Sequence, residues 1–245
     1  GNMWVAESNN GSWTSVYKAK GSPQPLFTAN NNQPITTAPR VVRNPEDGGS
    51  APNLIVLFGT GQYLTPDDPI NTDTQSFYGV FEQGDSGLTQ SNLESRTLTE
   101  STVTVEGVDY TVREADGDDM DATQSGWYVD LTTEEGERVI QSPQVRGDYA
   151  FVNSIVPSQD LCSSGGDGWL MAFGLDGKTP EDPVFSRFED PVVGYRTEGG
   201  MPDKSGFLGD YMLTPRSDGE IVTDELELGR DEENMGRVGW QELIQ

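Results

Sequence analysis

The sequence predicts an all-β protein of repeated antiparallel units, the arrangement of a β-propeller or of an incomplete piece of one, with long loop insertions. Three observations carry this. Glycine-rich turns feed short apolar runs, as in Gly165-Gly166-Asp167-Gly168-Trp169-Leu170-Met171-Ala172-Phe173, the pattern of a buried strand. That run has echoes at Gln75-Ser76-Phe77-Tyr78-Gly79-Val80-Phe81 and at Gly1-Asn2-Met3-Trp4-Val5-Ala6, each with an aromatic residue near its start. Asparagine, serine, threonine and glycine are abundant while long helical runs are scarce, which suits a chain dense in turns.

Taken in order, Asn2 to Ala6 and Ser12 to Ala19 alternate apolar and polar residues around Asn9-Asn10-Gly11 and form a hairpin. Gln24 to Gln33 is a polar connection. Thr36 to Arg43 is a strand, Pro45 to Ser50 a turn, and Asn53 to Thr60 a strand whose continuous Leu-Ile-Val-Leu-Phe run implies burial on both faces. Gly61 to Asp73 is a loop and Gln75 to Glu82 a strand. Residues 83 to 96 are an insertion, and Thr97 to Glu114 is a hairpin around Gly107. The acidic loop Ala115 to Ser125 precedes the strand Gly126 to Leu131, and Glu134-Glu135-Gly136 turns into a returning strand, Arg138 to Ser142. Phe185 to Val193 and Tyr211 to Pro215 are further strands, and Glu220 to Leu228 returns after the turn Ser217-Asp218-Gly219. The end, Gly229 to Gln245, fits either an outer strand or a short helix.

Two central segments repeat each other. Thr37 to Arg43, Asn53 to Phe58 and Phe77 to Phe81 correspond to Gln141 to Arg146, Tyr149 to Ile155 and Gly168 to Phe173. Each copy runs strand, turn, strand, loop, aromatic strand, which is the cue for a propeller blade. With 245 residues the chain, 1–245, reads as a single propeller domain or the C-terminal part of one. Residue 1 already enters a strand-like pattern, so further blades are expected upstream.

Charge narrows the function. Lys plus Arg number 15 against 41 Asp plus Glu, a net charge of -26, so nucleic acid and anionic membrane surfaces would both repel the chain. The excess favours cation binding and function in salty surroundings. No apolar run is long enough to span a membrane as a helix. There is no histidine, which removes Ser-His-Asp and Cys-His catalysis and histidine-based metal sites from this chain. The one cysteine, Cys162, has no partner within the chain and no basic neighbour to activate it; a bridge to an upstream cysteine stays open.

Several stretches together resemble a known family. They are Gly59-Thr60-Gly61-Gln62-Tyr63-Leu64, Gln75-Ser76-Phe77-Tyr78-Gly79, Gly126-Trp127-Tyr128-Val129-Asp130-Leu131 with Gly136-Glu137-Arg138-Val139, and Cys162 through Gly168-Trp169-Leu170-Met171. With the closing Trp240-Gln241-Glu242-Leu243, their order and spacing are similar to the C-terminal β-propeller of the PilC/PilY type IV pilus tip adhesins. The resemblance implies a non-enzymatic protein of the bacterial surface, at the pilus tip or outer membrane, that supports pilus assembly, opposes retraction and mediates attachment. Its implied partners are minor pilins, a surface or host receptor, and the upstream part of the same polypeptide. The family's propeller is longer than this chain, which corresponds to its later blades. Some members carry a calcium loop of the form D-x-D-x-D-G-x-x-D, which no stretch here reproduces. The alternatives are a propeller enzyme acting on glycans or through a quinone, and a cation-dependent carbohydrate-binding module.

Two stretches are candidate sites. Asp116, Asp118 and Asp121 offer hard oxygen ligands in a D-x-D-x-x-D order, close to half of a calcium loop but without its terminal glutamate, so the same residues also read as a flexible acidic loop. Arg146-Gly147-Asp148 is the tripeptide that integrins recognise and falls at a turn between strands, where glycine and aspartate are expected anyway. Trp4, Trp127 and Trp169 could stack on sugars, or pack between neighbouring blades as apolar core. No catalytic or cofactor-binding residue is indicated; calcium is the one candidate ion.

Overall fold

The computed structural model describes residues 1–10, 12–30, 32–45, 52–121, 123–158 and 164–228. Ten strands share one continuous sheet: β1 (Arg40–Arg43), β2 (Leu54–Gly59), β3 (Gln75–Glu82), β4 (Glu94–Val105), β5 (Val108–Asp116), β6 (Gly126–Leu131), β7 (Gln144–Arg146), β8 (Tyr149–Pro157), β9 (Gly166–Gly174) and β10 (Gly194–Thr197). Their spatial order is β7-β8-β9-β10-β5-β4-β6-β3-β2-β1. Two antiparallel blades lie within it. In the first, β1, β2, β3 and β6 pair in succession, with Val41 opposite Val56, Ile55 opposite Phe81 and Gly79 opposite Trp127. In the second, β7 to β10 do the same, with Val145 opposite Ala150, Val152 opposite Met171 and Leu170 opposite Tyr195.

The insertion in the first blade joins the two. Its strands β4 and β5 form a long hairpin registered from Thr97 opposite Asp116 to Val105 opposite Val108. Glu94 to Arg96 run parallel to Trp127 to Val129 of β6, while Val112 and Arg113 pair with Tyr195 and Gly194 of β10. The hairpin thus stitches the outer strands of both blades into one sheet. A three-stranded antiparallel sheet follows, β11 (Gly206–Leu208), β12 (Tyr211–Pro215) and β13 (Ile221–Glu225). On the far side of the first blade, Phe27–Thr28 pairs with Asn2–Met3 and with Leu88–Thr89. The described residues contain no α-helix, only short 3-10 turns at Asp68–Ile70 and Gln90–Asn92.

Both faces of the inner strands β2, β3, β8 and β9 are covered, which explains their unbroken apolar runs. Trp169, Met171 and Phe173 of β9 face the layer between the blades together with Phe77, Trp127 and Val129 of the first. Leu170 and Ala172 alternate to the other face, onto Phe185, Tyr195, Met212 and Leu226. Tyr78 and Val80 turn away from that middle layer and pack on Leu26, Phe27 and Phe58. Trp127 and Trp169 are fully buried; each takes on the order of 200 Å² out of water, worth about 5 kcal/mol before conformational entropy is counted. Trp127 fits because two glycines lie against its ring: a Cβ on Gly79 would come within 2.4 Å of it, and one on Gly177 within 2.3 Å. Its Nε1 donates to the Leu175 carbonyl at 2.8 Å, anchoring the first blade to the second.

Several expectations are corrected. Trp4 is not core: it is 47% exposed and lies outside any strand. Arg138 to Ser142 form no strand; Arg138 makes a single bridge to Ile155, because the next N–H, that of Val139, donates to the Thr60 carbonyl instead. Phe185 to Val193 is irregular, with Phe185 bridging Leu226, and the fourth strand of the second blade begins at Gly194. The first hairpin is narrower than expected, Ala6–Asn9 against Ser12–Ser15, and the polar connection after it contains the strand Phe27–Thr28. Most of the turn Pro45 to Ser50, Cys162, and the end Gly229 to Gln245 lie outside the described residues.

Candidate functional site

Buried charges hold the seam between the blades, and so the loops at its ends. Arg113 on β5 has no exposed surface, and its guanidinium carbon sits 3.5 Å from the Trp169 ring centroid. It donates through Nη1 and Nη2 to the two oxygens of Glu137, at 2.6 and 2.7 Å, and to Glu100 at 3.0 and 3.1 Å. Glu137, in the link between the blades, also accepts from the Ser154 hydroxyl on β8. The planar fork of arginine matches a carboxylate in this two-point way, and lysine does not. Arg138, the next residue, reaches the opposite way and donates to the carbonyls of Gln62, Asp68 and Asn71. Arg96 on β4 does the same for the carbonyls of Asp118 and Asp176.

The seam also contains a carboxylate pair, Glu134 and Glu137. Burial pushes the Glu134 carboxyl above its usual range; Arg196 opposes this and Glu137 adds to it. Glu134 accepts from Trp169 Nε1 at 3.1 Å and faces Arg196 at 3.2 Å, while Glu137 is held by Arg113. Both acids are occupied by structural partners rather than set across an open cleft. In the loop after β2, the Asp68 carboxylate accepts from the Gln62 amide and from the backbone N–H of Leu64 and Thr65, which holds its pKa well below the usual carboxylate range.

The acidic stretch lies at the end of β5. Asp116 accepts from the Gly117 N–H, Asp118 is exposed with its carbonyl toward Arg96, and Asp121 accepts from the N–H and hydroxyl of Thr123. Neighbouring Asp119 pairs with Lys178 at 2.7 Å, which lowers its pKa. Among the described residues no three of Asp, Glu and Cys are grouped so as to hold a metal ion. In the Arg146-Gly147-Asp148 stretch, Arg146 ends β7 and Gly147 and Asp148 form the two-residue turn to β8, the expected turn between strands. Gly147 has φ +58 and Asp148 does not share that sign, the combination of a hairpin turn with glycine first. Gly147 and Asp148 are exposed, whereas the Arg146 guanidinium lies over the Phe207 ring, 4.8 Å from its centroid. The turn therefore displays its last two residues and holds back its first. Sequence reasoning missed Arg113 and Glu137; the only local trace was a charge set among strand residues, and its partner lies 24 residues away.

Antiparallel blades stacked face to face, with their first strands β1 and β7 in contact, define a β-propeller segment. A family described as the PilY1 beta-propeller domain matches residues 5–110. Over 201 residues the chain is 31% identical to the type IV pilus biogenesis factor PilY1 of Pseudomonas aeruginosa, covering 71% of this chain and 17% of that protein. A Xylella fastidiosa PilY1 homolog is 27% identical over 266 residues, covering 100% of this chain and 20% of its own. The crystal structure of the Pseudomonas aeruginosa PilY1 C-terminal domain superposes with a TM-score of 0.69 at 24% identity, over 89% of this chain and 50% of that one, a likeness of fold. Family model, relatives and fold together mark the chain as a PilY1-type C-terminal propeller segment. It spans about a fifth of the length of the curated relatives it matches.

Proposed function

We propose that the chain is the later-blade part of a type IV pilus biogenesis factor, a non-enzymatic scaffold that acts at the cell surface in pilus assembly and attachment. The observation that carries this is the 31% identity to PilY1 over 201 residues, joined to the shared propeller fold. A seam whose charged groups are taken up by one another supports a structural rather than a catalytic role for the blades. In this proposal further blades come from the rest of the parent polypeptide, loops contact minor pilins, and the displayed turn at Gly147 and Asp148 contacts a surface or host receptor. The test is an in-frame deletion of this segment in the parent protein, with surface pili and attachment measured. Loss of both is expected; normal piliation and attachment, or a parent protein found only in the cytoplasm, refutes the proposal. Asp148→Glu tests the turn separately, and unchanged attachment removes it as the contact.

A further inference from the structure

The chain carries a net charge of -26, and most of its described cations are committed: Arg113, Lys178, Arg187, Arg196 and Arg216 to carboxylates, Arg96 and Arg138 to carbonyls. Arg40, Arg146 and Lys204 make no ion pair among the described residues, yet all three line one groove of about 550 Å³. Among the described residues no carboxylate lines it; Pro39, Pro143 and Phe207 supply apolar wall. The groove runs between β1 and β7, the first strands of the two blades, and reaches the start of β11. These two strands are also the ends of the ten-stranded order among the described residues, the position at which a sheet can accept an extended chain.

We propose that this groove binds an extended acidic peptide of a partner protein, its carboxylates meeting Arg40, Arg146 and Lys204 and its backbone meeting the strand edges. The site is set in advance. Phe207 is held at 5.2 Å by the edge of Phe151, Arg146 lies over Phe207, and the Gln144 amide donates to the Ser205 carbonyl at 2.7 Å. A single small anion would use only part of a space in the size range of ligand pockets. Elsewhere the chain's own negative field repels an acidic partner, so binding is favoured where these three cations, without an ion pair among the described residues, line one groove. The proposal does not depend on the role in pilus biogenesis.

The test is fluorescence anisotropy of a labelled, capped oligoglutamate peptide with the whole chain, beside an oligoglutamine peptide of the same length and an oligogalacturonate of matching charge. Saturable oligoglutamate binding is expected, weakening as added salt shortens the Debye length from about 10 Å at 0.1 M to about 3 Å at 1 M. Arg40→Gln and Lys204→Gln should each weaken it about tenfold, with unchanged circular dichroism because both side chains are exposed. Equal binding of oligoglutamine, no saturable binding, or binding unchanged in the Arg40→Gln/Lys204→Gln double variant overturns the proposal. So does preference for the oligogalacturonate, which assigns the groove to a saccharide. Self-association of the chain that Lys204→Gln abolishes assigns it instead to a second copy and also overturns it.

Discussion

Arg113→Met would strand a carboxylate in the seam. Arg113 and Glu137 are both fully buried, and the methionine keeps an apolar stem over Trp169 while removing the fork that answers Glu137. What remains for Glu137 is the Ser154 hydroxyl. Breaking one side of a buried pair costs about 3–5 kcal/mol, because the surviving charge has no water to replace its partner. In a protein of this size about 1 kcal/mol lowers Tm by roughly 2–4 °C, so a fall of about 6–20 °C is expected. The double variant Arg113→Met/Glu137→Leu removes both charges and should recover at least about 2 kcal/mol of that loss, since Glu100, 29% exposed, can turn to solvent. Urea unfolding followed by tryptophan fluorescence is the assay, and Trp169, in contact with the guanidinium, reports on the seam itself. A single variant costing under about 1 kcal/mol, or a double variant no more stable than additivity allows, would show that the pair does not hold the blades together.

Gly79→Ala drives a Cβ to 2.4 Å from Trp127 and should cost about 1–3 kcal/mol in the same unfolding assay, with unchanged stability refuting the glycine-bounded slot. Burial, with the Glu82 carboxylate that accepts from its hydroxyl, pushes the Tyr17 phenol up from 10.0 to about 12. The neutral phenol is therefore favoured by folding: its stabilisation is complete below pH 10 and lost as pH rises to about 12. Tyr17→Phe should flatten the alkaline fall in stability across that window, and an identical fall in both proteins would contradict the assignment. Calcium titration should give no heat from the Asp116 to Asp121 loop, where Asp121 is turned onto Thr123 and Asp118 lies apart. Heat that disappears in Asp118→Ala would instead show the loop closing on the ion.

The blades were legible because strand periodicity is local. Gln75 to Glu82 and Gly166 to Gly174 each occupy the third place of a blade, as their shared pattern of glycine and aromatics indicates. The turn at Gly147 was equally legible, since a two-residue hairpin turn needs the positive φ that glycine supplies. Trp4 misled because it too sits in a short apolar run, yet 47% of its surface stays exposed in the described structure. The fourth strand of the second blade was hidden: Gly194 to Thr197 is only four residues long, and its partners are Leu170 on one side and Val112 on the other, far away in sequence.

By itself, then, the sequence determined the all-β class, the repeat of the blade, the acidic character and the family, all of which depend on neighbouring residues or on composition. Only the tertiary structure decided that the β4–β5 hairpin joins the outer strands of both blades, that Arg113 answers Glu137, and that three cations without an ion pair among the described residues line one groove. The reason is physical: a strand's pattern is dictated by which of its faces is buried, whereas the identity of the group opposite a buried charge depends on how distant segments stack.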